Sequence, residues 1–179
     1  AAEPLHRRGR KGADLLLHTM VAAIERGQDW QVTLCTKTGL RILHAKVVID
    51  CTGDANVAQL AGCALHIPDT VQPATLICHV SGYDVDQLDR DALNAAFARA
   101  VEVGELDPRD IGWDTGQGDV TGWLRGHGEN AGHTRGINAR TSEGKTALEL
   151  AARAQLLRLY RFLRAQPGLE KLQIDYMAP

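Results

Sequence analysis

Residues 46–54, Lys-Val-Val-Ile-Asp-Cys-Thr-Gly-Asp, constrain the fold more than any other stretch: an apolar run halts abruptly at a corner of small and acidic residues. Three successive β-branched side chains, Val47, Val48 and Ile49, predict a strand buried on both faces. Residues 55–62 then read as a helix, and Gly53 allows backbone to approach a bound group where a Cβ would collide. A strand, a glycine corner and a helix let main-chain amides and a helix N-terminus meet a pyrophosphate. The corner is not a G-x-G-x-x-G fingerprint, and none occurs in the chain. On local grounds a purely structural strand-to-helix turn explains it equally well.

Around this corner the chain alternates short strands and helices, which predicts a mixed α/β fold. Residues 14–26 place Leu17, Met20, Val21 and Ile24 at helical spacing, although their length also suits a strand; periodicity favours helix. Residues 30–36 alternate Val32 and Leu34 with polar side chains, Thr38-Gly39 turns the chain, and residues 40–44 return, which predicts a hairpin. Residues 74–82 read as one strand closed by a turn at Gly82. Asp89 caps a helix over residues 90–103, with Leu93, Phe97, Ala100 and Val101 on one face and Gly104 at its end. Residues 106–136 are glycine-rich and aperiodic, anchored only by Trp113 and Trp123; a loop this long is functional or disordered. Thr141 and the residues after it open the strongest helix, with Leu148, Ala152, Gln155, Leu156, Leu159, Phe162 and Leu163 down one side and Pro167-Gly168 stopping it. Its Arg153, Arg158, Arg161 and Arg164 are expected on a solvated face or against a partner domain. Residues 172–176 form the last strand.

With 179 residues, 44% of them apolar, the chain supports one core and a small second one. A net charge of −2 with dispersed lysine and arginine gives no reason to invoke nucleic acid or a membrane surface. The basic group Arg7, Arg8, Arg10 and Lys11 reads as a solvated end. No apolar run approaches the roughly 20 residues of a membrane span. Cys35, Cys51, Cys63 and Cys78 form no C-x-x-C pair, so reduced, packed thiols are expected rather than a metal site or a redox dithiol. A cytoplasmic setting follows. The chain starts at Ala1 without a methionine and closes on a strand-like end, which suggests a piece of a larger protein.

The order of these segments resembles a known family. Leu-Leu-Leu-His-Thr-Met-Val at 15–21, the hairpin, the 45–58 stretch with its Asp-Cys-Thr-Gly-Asp corner, Ala-Gly-Cys at 61–63 and Gln-Pro-Ala-Thr-Leu at 72–76 resemble FAD-dependent oxidoreductases of the glutathione-reductase-like superfamily, related to fumarate reductase and succinate dehydrogenase flavoproteins. The resemblance implies that residues 1–72 are a partial FAD-binding domain with a β-meander and that 73–179 are part of a substrate or cap domain, with a long helix over 145–165. It also implies a strand, not a helix, over residues 15–25. Cys51 stands where the family usually has alanine, and the N-terminal βαβ unit with its glycine-rich fingerprint is absent.

By that resemblance Cys51, Thr52, Gly53 and Asp54 are cofactor-binding candidates, FAD is the cofactor, and hydride transfer between a small organic substrate and flavin is the reaction. His133, Arg135, Asn138 and Arg140, ahead of the long helix, are the substrate-side candidates, because an arginine fork suits an anionic substrate. No catalytic residue and no metal ligand is assigned. His79, on an apolar strand, reads as a hydrogen-bonded core histidine, and Asp50 as a local cap. Expected partners are the small-molecule substrate and either a second copy of the chain or a missing N-terminal half. A non-catalytic interaction module, or one half of a split flavoprotein, is the alternative from another class. A nucleotide- or SAM-binding transferase fits less well, since the corner follows a meander rather than opening the first βαβ unit.

Overall fold

The computed structural model describes residues 12–69, 72–112, 119–128 and 132–178. The chain divides into two compact units, Ala1–Asp69 and Thr70–Pro179. Helices and strands are mixed, and every strand pair among the described residues is antiparallel.

The first unit is a three-stranded meander, β1 (Met20–Arg26), β2 (Trp30–Thr36) and β3 (Gly39–Ala45), followed by the short helix α1 (Asn56–Leu60). The hairpin between β2 and β3 forms as its alternation predicts, with Thr36 opposite Gly39 and Thr36 Oγ1 donating to Gly39 O at 2.7 Å. Ile24, Val32, Leu34 and Val57 make its core, with Leu16, Val21, Trp30, Val48 and Ala61 packed around them. Arg26 lies over the Trp30 ring at 4.7 Å, closing the β1–β2 turn with a cation–π contact.

Two sequence expectations fail in this unit. The helix read over 14–26 is a strand at Met20–Arg26, and the strand that the family resemblance implies over 15–25 is present only from Met20. A bulge between Val21 and Ala23 inserts one residue, so Val21 pairs with Leu34 and Ile24 with Val32 on the same face. That three-residue spacing is what mimics a helical period. The run at 46–50 is extended but joins no ladder among the described residues. Val48 packs on the core while Val47 and Ile49 are 73% and 80% exposed, so burial on both faces is overturned in favour of plain alternation.

The second unit wraps two short ribbons and three helices around a larger core. β4 (Ala74–Thr75) pairs with β6 (His133–Thr134), and β5 (Cys78–Ser81) pairs with β7 (Gln173–Met177). The single strand expected over 74–82 is thus broken at Leu76 and Ile77, where the chain changes partners. α2 (Arg90–Glu102) is capped by Asp89, whose side chain accepts from the Ala92 amide, and buries Leu93, Phe97 and Ala100. α4 (Ser142–Arg164) is capped by Thr141 and buries Leu148, Ala152, Leu156, Leu159 and Leu163. Phe97 and Phe162 meet edge to face at 6.0 Å and join the two helices.

The glycine-rich interval is more ordered than its composition suggests. Asp107 caps a 3₁₀ turn, Pro108–Ile111, and Asp119 caps α3 (Val120–Arg125), which buries Val120, Trp123 and Leu124. Trp113 lies outside the described residues. Arg158 is not simply on a solvated face: it fastens α4 to the 3₁₀ turn through Asp110. Of the cysteines, Cys78 alone is buried; Cys35, Cys51 and Cys63 are exposed, so the packed-thiol expectation holds only for Cys78. Cys35 misleads because its apolar neighbours in β2 lie on the opposite face of the strand.

Candidate functional site

The corner is held from below by one carboxylate. Asp50 Oδ1 accepts from the Thr52 amide at 2.9 Å and from Thr52 Oγ1 at 2.7 Å, while Oδ2 accepts from the Ala58 amide of α1 at 2.8 Å. Thr52 Oγ1 in turn accepts from the Asn56 amide at 2.9 Å. These bonds, the Thr52 amide foremost, hold the Asp50 carboxyl below the usual carboxylate range. Asp50 is therefore the local cap that its position at the end of the apolar run suggests.

The outer side of the corner is open. Cys51, Thr52, Gly53 and Asp54 are all exposed. Gly53 takes φ +87°, a left-handed conformation that favours glycine, and no atom lies within 4 Å of where its Cβ would stand. Ala55 also sits in the left-handed region, at φ 55°, and turns the chain into α1. With Asp50 on the Ala58 amide and Thr52 on the Asn56 amide, donors at the start of α1 already have acceptors. Asp50 and Asp54 further give the corner a negative character that opposes a pyrophosphate.

The four substrate-side candidates separate. His133 is 2% exposed on β6, opposite Thr75, whose Oγ1 lies 2.7 Å from His133 Nδ1. Burial, then the charge of Arg135, pushes its pKa down, favouring a neutral imidazole. Arg135, Asn138 and Arg140 are exposed on the segment leading to α4. Asn138 Oδ1 accepts from the Arg140 amide at 3.1 Å. The Asn138 carbonyl stands 1.8 Å from a Cβ on Gly144, so glycine is required where this segment crosses the first turn of α4.

Sequence reasoning missed the partners of three polar groups in the second unit. Asp119 accepts from Thr121 Oγ1 at 2.6 Å, Asn94 Nδ2 at 3.1 Å and Arg90 Nη2 at 2.6 Å, clasping α2 to α3. Asp110, 2% exposed, pairs with Arg158. His79 pairs with Asp175 on the outer face of the β5–β7 ribbon; it is hydrogen-bonded as expected, but with a side chain 30% exposed it is not a core residue. The Arg90–Asp119, Asp110–Arg158 and His79–Asp175 partners lie 29, 48 and 96 positions apart, so no local pattern could reveal these pairings. Among the described residues no cluster of three or more His, Cys, Asp or Glu side chains is arranged to hold a metal ion, and no helix is long and apolar enough to cross a membrane.

In the first unit an apolar segment, an exposed glycine corner and a short helix follow a three-stranded β-meander. The family model for FAD dependent oxidoreductase matches residues 3–179, and the chain belongs to that family. It is a flavin oxidoreductase with FAD as its cofactor. No curated protein and no solved structure matches the chain significantly.

The corner suits part of that cofactor. FAD carries ribityl and ribose hydroxyls, which a carboxylate accepts hydrogen bonds from, and phosphates, which it repels. The exposed Thr52, Gly53 and Asp54 match the former, and the engaged amides of α1 do not serve the latter.

Proposed function

We propose that the protein transfers hydride between a small organic substrate and FAD, with the corner at Cys51, Thr52, Gly53 and Asp54 contacting a hydroxyl-bearing part of the cofactor. The observation that carries this reading is the way Asp50 locks the corner from within while leaving its outer side open. A rigid, glycine-centred surface positions a cofactor without ordering cost at the moment of binding. The first unit then belongs to the flavin side and the second to the substrate side. Bound FAD supplies the two-electron acceptor; the chain's residues bind, orient and handle protons.

On the substrate side the exposed Arg135 and Arg140, with Asn138 between them, suit an anionic group, since guanidinium forks match carboxylate geometry. His133 supports this segment from within through Thr75.

A second reading, one half of a split flavoprotein whose partner completes the site, draws on the exposed Val47 and Ile49. An extended segment with both side chains in water and no ladder partner among the described residues suits a strand supplied from elsewhere. Flavin titration of Asp54→Ala tests the leading reading. Loss of one hydrogen bond to a charged acceptor is expected to weaken FAD about tenfold or more. Unchanged affinity sinks the assignment of the corner, and flavin retained only with an added partner favours the split form.

A further inference from the structure

A small cavity inside the second unit lies where the 3₁₀ turn Pro108–Ile111, α3 and α4 come together. Asp110 reaches it from the turn, Trp123 from α3, and Gln155, Leu156 and Leu159 from α4, with Cys78 of β5 on a further side. It leaves about 10 Å³ for the centre of a water-sized molecule, which is the room one water needs by that measure and too little for an organic ligand.

The polar groups around it do not balance among themselves. Trp123 is 5% exposed, and its indole Nε1–H, a donor only, has no hydrogen-bond partner among the described residues. A buried donor left in that state carries its full desolvation cost, so native structures meet it with protein or with water.

Two other lining side chains hold acceptor capacity in reserve. Asp110 accepts from Arg158 Nε, Arg158 Nη2 and the Asp107 amide, three donors on a carboxylate with about four acceptor positions. Gln155 Nε2 donates to the Arg109 carbonyl at 3.0 Å, and Oε1 accepts from Thr134 Oγ1 at 3.2 Å, which leaves the second lone pair of that oxygen. Neither side chain bonds Trp123 Nε1 directly. The cavity thus offers one donor and two acceptors that need something between them.

Charge and size select the occupant. An anion is opposed by the Asp110 carboxylate, and a cation is opposed by the indole N–H dipole and by Arg158, which already neutralises Asp110. A neutral molecule that both accepts and donates fits, and at this volume that molecule is water. Apolar cavities stay dry, whereas a site with about two to four polar partners holds a water.

We propose that this cavity is the binding site of one structural water, which accepts from Trp123 Nε1 and donates its two hydrogens to Asp110 and Gln155. Three hydrogen bonds are the usual complement of a buried water. The water joins α3, the 3₁₀ turn and α4 at a single point, so the glycine-rich interval is ordered through it as well as through the Arg158–Asp110 pair. The inference concerns the second unit alone and stands whether or not flavin binds.

The test has two arms, both on a folded chain without a change at the site. In proton NMR of tryptophan-labelled protein, the Trp123 indole N–H is expected to show a dipolar cross-peak at the water frequency with the sign of a molecule that tumbles with the protein. The rotating-frame experiment, in which dipolar and exchange peaks differ in sign, separates this contact from proton exchange. Trp30→Phe and Trp113→Phe each remove one of the three indole resonances and so assign that of Trp123. A Trp123 indole with no such cross-peak overturns the proposal. In the second arm, a crystal structure of the unmutated protein is expected to show one ordered water within about 3.2 Å of Trp123 Nε1 and of an oxygen of both Asp110 and Gln155. Nε1 bonded instead to a protein acceptor, a dry cavity, or a water that misses either acceptor overturns it.

Discussion

Arg158 on α4 donates Nε to Asp110 Oδ2 at 3.0 Å and Nη2 to Asp110 Oδ1 at 2.6 Å, a two-pronged pair whose carboxylate is almost fully buried. The Asp107 amide donates to the same Oδ2 at 3.0 Å, so the pair also closes the 3₁₀ turn. Asp110 is what ties the irregular stretch to the longest helix, and the Arg158 pKa is raised chiefly by this hydrogen bonding.

Removing the arginine alone is therefore expected to do more harm than its partial exposure suggests. Arg158→Met leaves a buried carboxylate without its countercharge and should cost about 3 kcal/mol, read from urea unfolding. The double variant Arg158→Met with Asp110→Asn should recover part of that loss. Additive losses in the two single variants would show that the pair is not coupled.

Gly82 provides a backbone test. A Cβ there would stand 2.2 Å from the Lys171 carbonyl, and φ is +89°. Gly82→Ala is expected to destabilise the second unit by about 2–3 kcal/mol, combining left-handed strain with a clash against main chain. Gly104→Ala, at φ +78° with nothing within 4 Å, should cost only about 1 kcal/mol. Equal costs, measured by thermal unfolding, would mean that Lys171 yields without penalty.

Acid stability should depend on two caps. Asp107 is lowered to about 2, first by its hydrogen bonding with Arg109, and Asp119 is lowered further, first by Thr121 Oγ1 and then by Asn94 and Arg90. Both pKa values lie below the unfolded value near 3.8, so both contribute stability that is full above pH 3.8 and lost as pH falls towards and below about 2. The Tm of Asp119→Asn is expected to fall less steeply than that of the unmutated protein over that window. Parallel curves would remove Asp119 from the account. Since both groups are partly exposed, added salt should shrink the difference.

Asp50 offers a probe of the corner that needs no cofactor. Asp50→Ala removes the acceptors of the Thr52 and Ala58 amides and is expected to speed amide hydrogen exchange at both, with the core amides of α4 unchanged. Unchanged exchange at Ala58 would mean that α1 stands without its carboxylate cap.

What was legible in the sequence followed local rules. The β2–β3 hairpin, the Asp89 and Thr141 caps and the apolar face of α4 each depend on residues within a few positions of one another. Misreadings arose where an irregularity changed the period. The bulge in β1 gave Val21 and Ile24 helical spacing, and the register irregularity between β5 and β7 set His79 against a partner 96 positions away. At 46–50 the β-branched run signalled an extended backbone, but composition does not reveal whether another strand lies on either side. The candidate residues divide for the same reason: the corner is contiguous and its exposed, glycine-centred turn follows from local rules, whereas His133, beside arginines in the sequence, is buried against Thr75.

The central claim is that the exposed corner serves FAD, and the most direct measurement is a flavin titration of the purified protein, followed by absorbance and flavin fluorescence, beside Gly53→Val. The account predicts stoichiometric, saturable flavin binding that the valine weakens, since a β-branched residue at φ +87° must reshape the corner. Flavin bound with equal affinity by the valine variant would contradict the assignment of the corner, and a protein that binds no flavin would contradict the claim itself.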